Sequence, residues 1–157
     1  FAGLLARATA DGATPAAAAD AMVGELAQLH RIGVKLATMI VSALATPALA
    51  PGVTPWAPAL DGNHLVVVDA NVMRVVDVLR PRGPRTYAAY ATWIRRQATR
   101  IDLRRVRPDW PATSPRLVQQ AMYWFRSRAN RTDVGLACDA PCAGCVPRAC
   151  AFVRAAS

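Results

Sequence analysis

Three groupings of residues in this chain can do chemistry. The first stands in "HLVVVDANVMRVVDVL", residues 64 to 79, where an apolar run ends at Asp69 and a helical pattern begins behind it. As an N-cap, Asp69 would accept a backbone N–H from residue 71 or 72, the commoner use of such an acid. A carboxylate partly withdrawn from water at that position can also stabilise positive charge developing in a neighbouring substrate. The second is Lys35, the single lysine beside 18 arginines. The third is "CDAPCAGCVPRAC", which holds all four cysteines, Cys138, Cys142, Cys145 and Cys150. Four thiols so closely spaced can wrap one tetrahedral ion or one cluster. Two disulfides are the competing reading, disfavoured by crowding in so short a loop and by the intracellular character expected of the chain. Spacing leaves zinc and iron–sulfur both open.

The elements that must position these groups are helical. Phe1 to Thr9 suits a short helix, and Thr14-Pro15 is a cap followed by a first-turn proline. The helix it opens carries Ala19, Met22, Val23, Leu26 and Leu29 on one face. "LHRIGVKLA" interrupts, with Gly33 read as the source of a tight turn. A second helix places Ala37, Ile40, Val41 and Leu44 together and ends before Pro47. Such a pair joined by a short turn exposes backbone N–H groups at the start of its second helix, where phosphate is welcome, although most such pairs are only structural. Residues 46 to 63, with four prolines and two glycines, read as a long loop, functional or inserted.

Behind Asp69, Val72, Val75, Val76 and Leu79 share a face. Thr86 to Thr99 forms a further helix with Tyr87, Tyr90 and Ile94 inward. Ser114-Pro115 opens another with Val118, Ala121, Met122 and Phe125 on its stripe. Apart from the run at 65 to 68 there is no strand pattern, and the fold class is all-α. The expected division is a helical domain over 1–134 and a cysteine loop with tail over 135–157.

The chain has 157 residues, a net charge of +9 and a pI near 10.7, which point to a polyanionic partner. Arginine forks bind phosphate bidentately, so nucleic acid is favoured, with a GC-rich genome as a background cause of the arginine bias. Arg95, Arg96, Arg100, Arg104, Arg105 and Arg107 are read mainly as a solvated face, with a few on phosphates. Trp124 and Tyr123 suit stacking on a base or, more commonly for helical aromatics, the core. His30 and His64 are expected to serve local hydrogen bonds. There is no secretory signal, and the longest apolar stretch, 36 to 50, is broken by Pro47 and too short for a bilayer. The expectation is a cytoplasmic, nucleoid-associated monomer with no membrane partner. The start at Phe1 reads as a fragment or a processed end.

Together, and in order, these motifs resemble the helix-hairpin-helix glycosylases of base-excision repair, in the branch of endonuclease III and the adenine glycosylases. The family hairpin is close to L-P-G-V-G-R-K-T-A; here Leu29-His30-Arg31-Ile32-Gly33-Val34-Lys35-Leu36-Ala37 stands in its place. The family's catalytic block, close to V-D-T-H/N-V-x-R-V, is matched by Val68-Asp69-Ala70-Asn71-Val72-Met73-Arg74-Val75, and its cluster loop by Pro141-Cys142-Ala143-Gly144-Cys145. The resemblance spans roughly residues 15 to 152. His30 and Arg31 replace the usual Pro and first Gly, the first cysteine interval is tightened, and only 28 residues precede the hairpin. The resemblance implies excision of a damaged or mispaired base from double-stranded DNA and a [4Fe–4S] cluster on the four cysteines. Asp69 would face the deoxyribose of an extruded nucleotide. Lys35 would be the amine that attacks C1′ and cleaves abasic DNA, a step closed to a guanidinium, which keeps its proton. Asn71 resembles the adenine-glycosylase branch. Arg31, Ile32, Gly33, Val34, Asn71, Arg74 and Arg148 would contact DNA, Arg74 serving alternatively as a structural brace. The competing readings are a DNA-binding module without chemistry and a zinc-stapled regulator.

Overall fold

A computed structural model describes residues 2–80 and 82–127. Six α-helices make up its regular structure: α1 Ala2–Ala8, α2 Pro15–Ala27, α3 Val34–Leu44, α4 Ala70–Leu79, α5 Tyr87–Ala98 and α6 Pro115–Arg126. No strand occurs among the described residues, so the chain is all-helical there.

Four helix starts obey one local rule. Thr14, Asp69, Thr86 and Ser114 each accept the N–H three residues on, from Ala17, Val72, Ala89 and Leu117, at 3.2, 2.8, 3.2 and 3.2 Å. Each bond satisfies one of the donors that a helix N-terminus leaves without an internal partner. In α2 and α6 a proline follows the cap, where its missing N–H does no harm.

The core has three parts. Ala18, Ala19, Met22 and Leu26 of α2 pack with Ala37 and Val41 of α3, and Trp56, Leu60 and Leu65 close this first cluster. Alanines on both sides let α2 and α3 approach closely. Val66, Val68, Val72 and Val76 meet Tyr90, Ala91 and Ile94 of α5 in the second. Ala98, Leu103, Leu117 and Val118 form the third.

Several expected positions are corrected. Leu29 lies beyond the end of α2 and is exposed, because the helix stops at Ala27. Tyr87, Leu79, Ala121 and Phe125 are exposed as well. In α6 the buried residues are the consecutive Arg116, Leu117, Val118 and Gln119, so its first turns are enclosed all round and its later ones carry the exposed Trp124. The 46–63 segment is not an excursion. Trp56 and Leu60 are buried, the Trp56 and Gly62 amides donate to the Leu44 and Ala45 carbonyls, and the Asp61 amide donates to Pro15. Gly62 is required there: a Cβ would fall 2.6 Å from Thr46 Oγ1 and 3.0 Å from Ser42 Cα.

Candidate functional site

The turn between α2 and α3 departs from the sequence expectation in an instructive way. Gly33 has φ −83° and ψ 167°, open to any residue; the left-handed position is Arg31, at φ 64°. A non-glycine residue pays about 1–2 kcal/mol for that conformation. It is also the position at which the resembled motif has its first glycine. Gly33 is instead the N-cap of α3 and brings no side-chain oxygen to it, and nothing lies within 4 Å of where its Cβ would be. The first N–H groups of α3 therefore have no side-chain cap, and a positive helix end is left open to solvent.

Around that end Arg31, Gly33, Val34, Lys35 and Leu36 are exposed and Ile32 is half-buried. Lys35, in the first turn of α3, makes no hydrogen bond or ion pair among the described residues. Its amine is not enclosed by protein there.

Asp69 is half-buried. Its Oδ1 takes the Val72 N–H at 2.8 Å, while its Oδ2 accepts no hydrogen bond among the described residues. No described arginine lies within ion-pairing distance of it. The apolar run before it has a packing reason that sequence reasoning did not supply. Leu65 enters the first core cluster, whereas Val66 and Val68, two residues apart and on one side of an extended chain, enter the second. The segment bridges two cores, and Asp69 emerges at its end.

Among the described residues no strand pairs with residues 65–68; side chains hold them. Tyr87 Oη donates to the Val66 carbonyl at 2.9 Å and lies 3.4 Å from the Val68 N–H, which donates to it. Gln119 Oε1 accepts the Val67 N–H at 3.4 Å. Arg116 in turn donates from Nη1 to Gln119 Oε1 at 2.6 Å and to Gln120 Oε1 at 2.8 Å, and from Nε to Ser42 Oγ of α3 at 2.8 Å. Burial pushes its guanidinium down to about 10, so it remains charged at neutral pH. Among the described residues this buried cation has only neutral hydrogen-bond partners. Sequence reading missed Tyr87, Arg116 and Gln119 as site residues. The signal available was an arginine at the second position of a helix, where the dipole disfavours a cation.

Asn71, in the first turn of α4, is half-buried; Arg74 is exposed and makes no hydrogen bond or ion pair among the described residues. The α4–α5 brace is Tyr90, whose hydroxyl donates to Asp77 Oδ1 at 2.8 Å beneath Arg80, 5.4 Å from the ring centroid. His64 Nε2 meets Asp20 of α2 at 2.9 Å, a partner 44 positions away rather than the local one expected. Arg95, Arg96, Arg100, Arg104, Arg105 and Arg107 are all exposed. Arg104 clamps Asp102 through Nε and Nη2, and Arg107 lies 3.8 Å from Asp109 and over Trp110, so this stretch is partly self-neutralised. Cys138, Cys142, Cys145, Cys150 and Arg148, with the whole 135–157 unit, lie outside the described residues. Lys35 and Asp69 are not joined by an ion pair. No described helix is long and apolar enough to cross a membrane.

Comparisons with protein-family profiles, with curated proteins and with solved structures return no match.

Proposed function

We propose that the chain is a DNA glycosylase of the helix-hairpin-helix kind, excising a damaged or mispaired base and cleaving the resulting abasic site through Lys35. The observation that carries this reading is the state of Asp69: half-buried, with one oxygen fixed by the Val72 N–H and, among the described residues, no partner for the other oxygen and no cation paired with it. Breaking the glycosidic bond spreads positive charge over the deoxyribose, and a fixed, uncompensated carboxylate is the group that lowers the energy of that state. The uncapped start of α3 supports the same reading. Its left-handed residue stands at the motif's glycine position, and its N–H groups are open to a phosphate.

In this scheme the nucleotide is turned out of the duplex toward Asp69. Nζ of Lys35, after giving a proton to solvent, attacks C1′ and the base departs with the electrons of the C–N bond, taking up a proton. The resulting secondary amine opens the sugar ring to an iminium, and loss of a C2′ proton expels the 3′ phosphate. Arg31, Ile32, Gly33 and Val34 would grip the phosphate backbone, with Asn71, Arg74 and Arg148 adding contacts. The four thiols at 138, 142, 145 and 150 form a complete donor set for [4Fe–4S] or for zinc, and either would staple the C-terminal segment.

The exposure of Lys35 favours a second reading, a non-catalytic DNA-binding module with a metal-stapled loop. Single-turnover excision assays on duplexes carrying a panel of lesions and mismatches separate the two. Excision that falls by about 100-fold or more in Asp69→Asn, with DNA binding kept, supports the enzyme. Binding without excision of any base by wild type supports the module.

A further inference from the structure

We infer that Tyr87 and the Arg116–Gln119 pair are positioning residues for Asp69, through the connecting segment 63–68. This rests on the excision reading for its catalytic consequence, but not for its structural one.

Residues 63 and 64 form a turn and 65–68 belong to no helix, and among the described residues no strand pairs with them. A non-helical backbone that runs through a core must still satisfy each buried N–H and C=O. Here two helices do so with side chains and cap groups. The Asn63 carbonyl takes the backbone N–H of Arg116 at 2.9 Å and the hydroxyl of Ser114 at 3.3 Å. The Val66 carbonyl takes the Tyr87 hydroxyl, the Val67 N–H goes to Gln119, and the Val68 N–H to Tyr87. Every one of these partners lies on α5 or at the start of α6. None comes from the helix that Asp69 caps.

The second feature is what fixes Gln119. A glutamine amide can turn over, and a turned Gln119 would face the Val67 N–H with another donor. The Arg116 guanidinium removes that choice by donating to Gln119 Oε1 at 2.6 Å. Arg116 is itself anchored to Ser42 of α3 through Nε. A hydrogen-bonded path therefore runs from α3, the helix that begins with Val34 and Lys35, through Ser42, Arg116 and Gln119 to Val67, two residues before Asp69. A buried guanidinium with neutral partners is costly, so an apolar residue would pack there at less expense. What the charge supplies is a rigid, forked set of donors that a lysine cannot reproduce. The path sets the spacing between the two elements that carry the amine and the acid.

Tyr87→Phe is the cleaner probe, because it removes one hydroxyl from a ring that is 42% exposed. Arg116→Lys, which keeps the charge and loses the fork, is the second. Amide hydrogen exchange on the full-length, metal-loaded protein reports the position of Asp69 through the Val72 N–H that it caps. The expected result is exchange of the Val68 and Val72 amides faster by about tenfold in Tyr87→Phe, the upper range for one lost hydrogen bond, with the Met22 amide of α2 unchanged. Single-turnover excision should fall by a similar factor with DNA affinity retained. Val72 exchange unchanged in Tyr87→Phe overturns the inference, whatever the protein does to DNA. Faster Val72 exchange with an unaltered excision rate also overturns it as a catalytic device. Faster exchange in a wild-type background that excises nothing leaves the positioning standing and removes the glycosylase reading instead.

Discussion

At the scale of single residues, one substitution can separate the observed cap of Asp69 from its proposed electrostatic role. Asparagine caps a helix about as well as aspartate, so Asp69→Asn should keep the Val72 bond and change stability by less than about 0.5 kcal/mol. Asp69→Ala loses the cap and should destabilise by about 1 kcal/mol. Chemical denaturation of both, read beside their excision rates, tells cap from charge. An Asp69→Asn protein as unstable as Asp69→Ala would mean that the carboxylate itself is structural. Arg31 offers a complementary test. Its φ of 64° is strained for any residue with a Cβ. Arg31→Gly should raise stability by about 1 kcal/mol, unless the arginine is making contacts that offset the strain. Weaker DNA binding alongside higher stability would show a residue kept for its charge. A melting temperature that falls in Arg31→Gly would contradict that account.

At the scale of elements, the sequence announced its helix starts and little of what holds them together. Thr14, Asp69, Thr86 and Ser114 were legible because a cap involves residues three apart, and the structure puts a bond at each. The hairpin was legible as two helices and a turn, but its conformation was not. Gly33 drew attention as the flexible residue, while the left-handed turn fell to Arg31, since tertiary packing can impose a conformation that local preference resists. Tyr87, Arg116 and Gln119 were not legible because the partners that tie them to the 66–68 segment and to α3 lie 19 to 74 positions away in the chain. The same holds for Gly62, which looked like loop punctuation and is a point of close approach to α3. Gly62→Ala should destabilise by about 1–3 kcal/mol, because the nearest obstacle besides the Thr46 hydroxyl is the Ser42 backbone. A neutral effect in denaturant unfolding would mean that the 46–63 segment gives way to the added methyl at no cost. Gly33→Ser puts an oxygen where α3 has none. It should add a few tenths of a kcal/mol and at the same time weaken DNA binding, since the new cap competes with phosphate for the same N–H groups.

At the scale of the whole molecule, a net charge of +9 predicts affinity for DNA that falls steeply with salt. The exposed arginines of α5 and the segment after it are unequal in this. Arg104 and Arg107 face Asp102 and Asp109, so Arg95→Ala and Arg96→Ala should each lower the slope of log K against log salt by about 1, and Arg104→Ala by less. Equal effects at all three positions would show that these ion pairs open on DNA. The all-helical class was readable from periodicity alone, whereas the meeting of α3 with the Asp69 segment depends on contacts no local pattern encodes. The central claim is that the lone lysine and this acid serve one deoxyribose. Borohydride trapping on duplex DNA containing an abasic site tests it most directly, since the chain has a single side-chain amine. Wild type should give a covalent adduct that peptide mapping assigns to Lys35, and Lys35→Ala should give none. No adduct with wild type under conditions where the DNA is bound, or an adduct that survives Lys35→Ala, would contradict it.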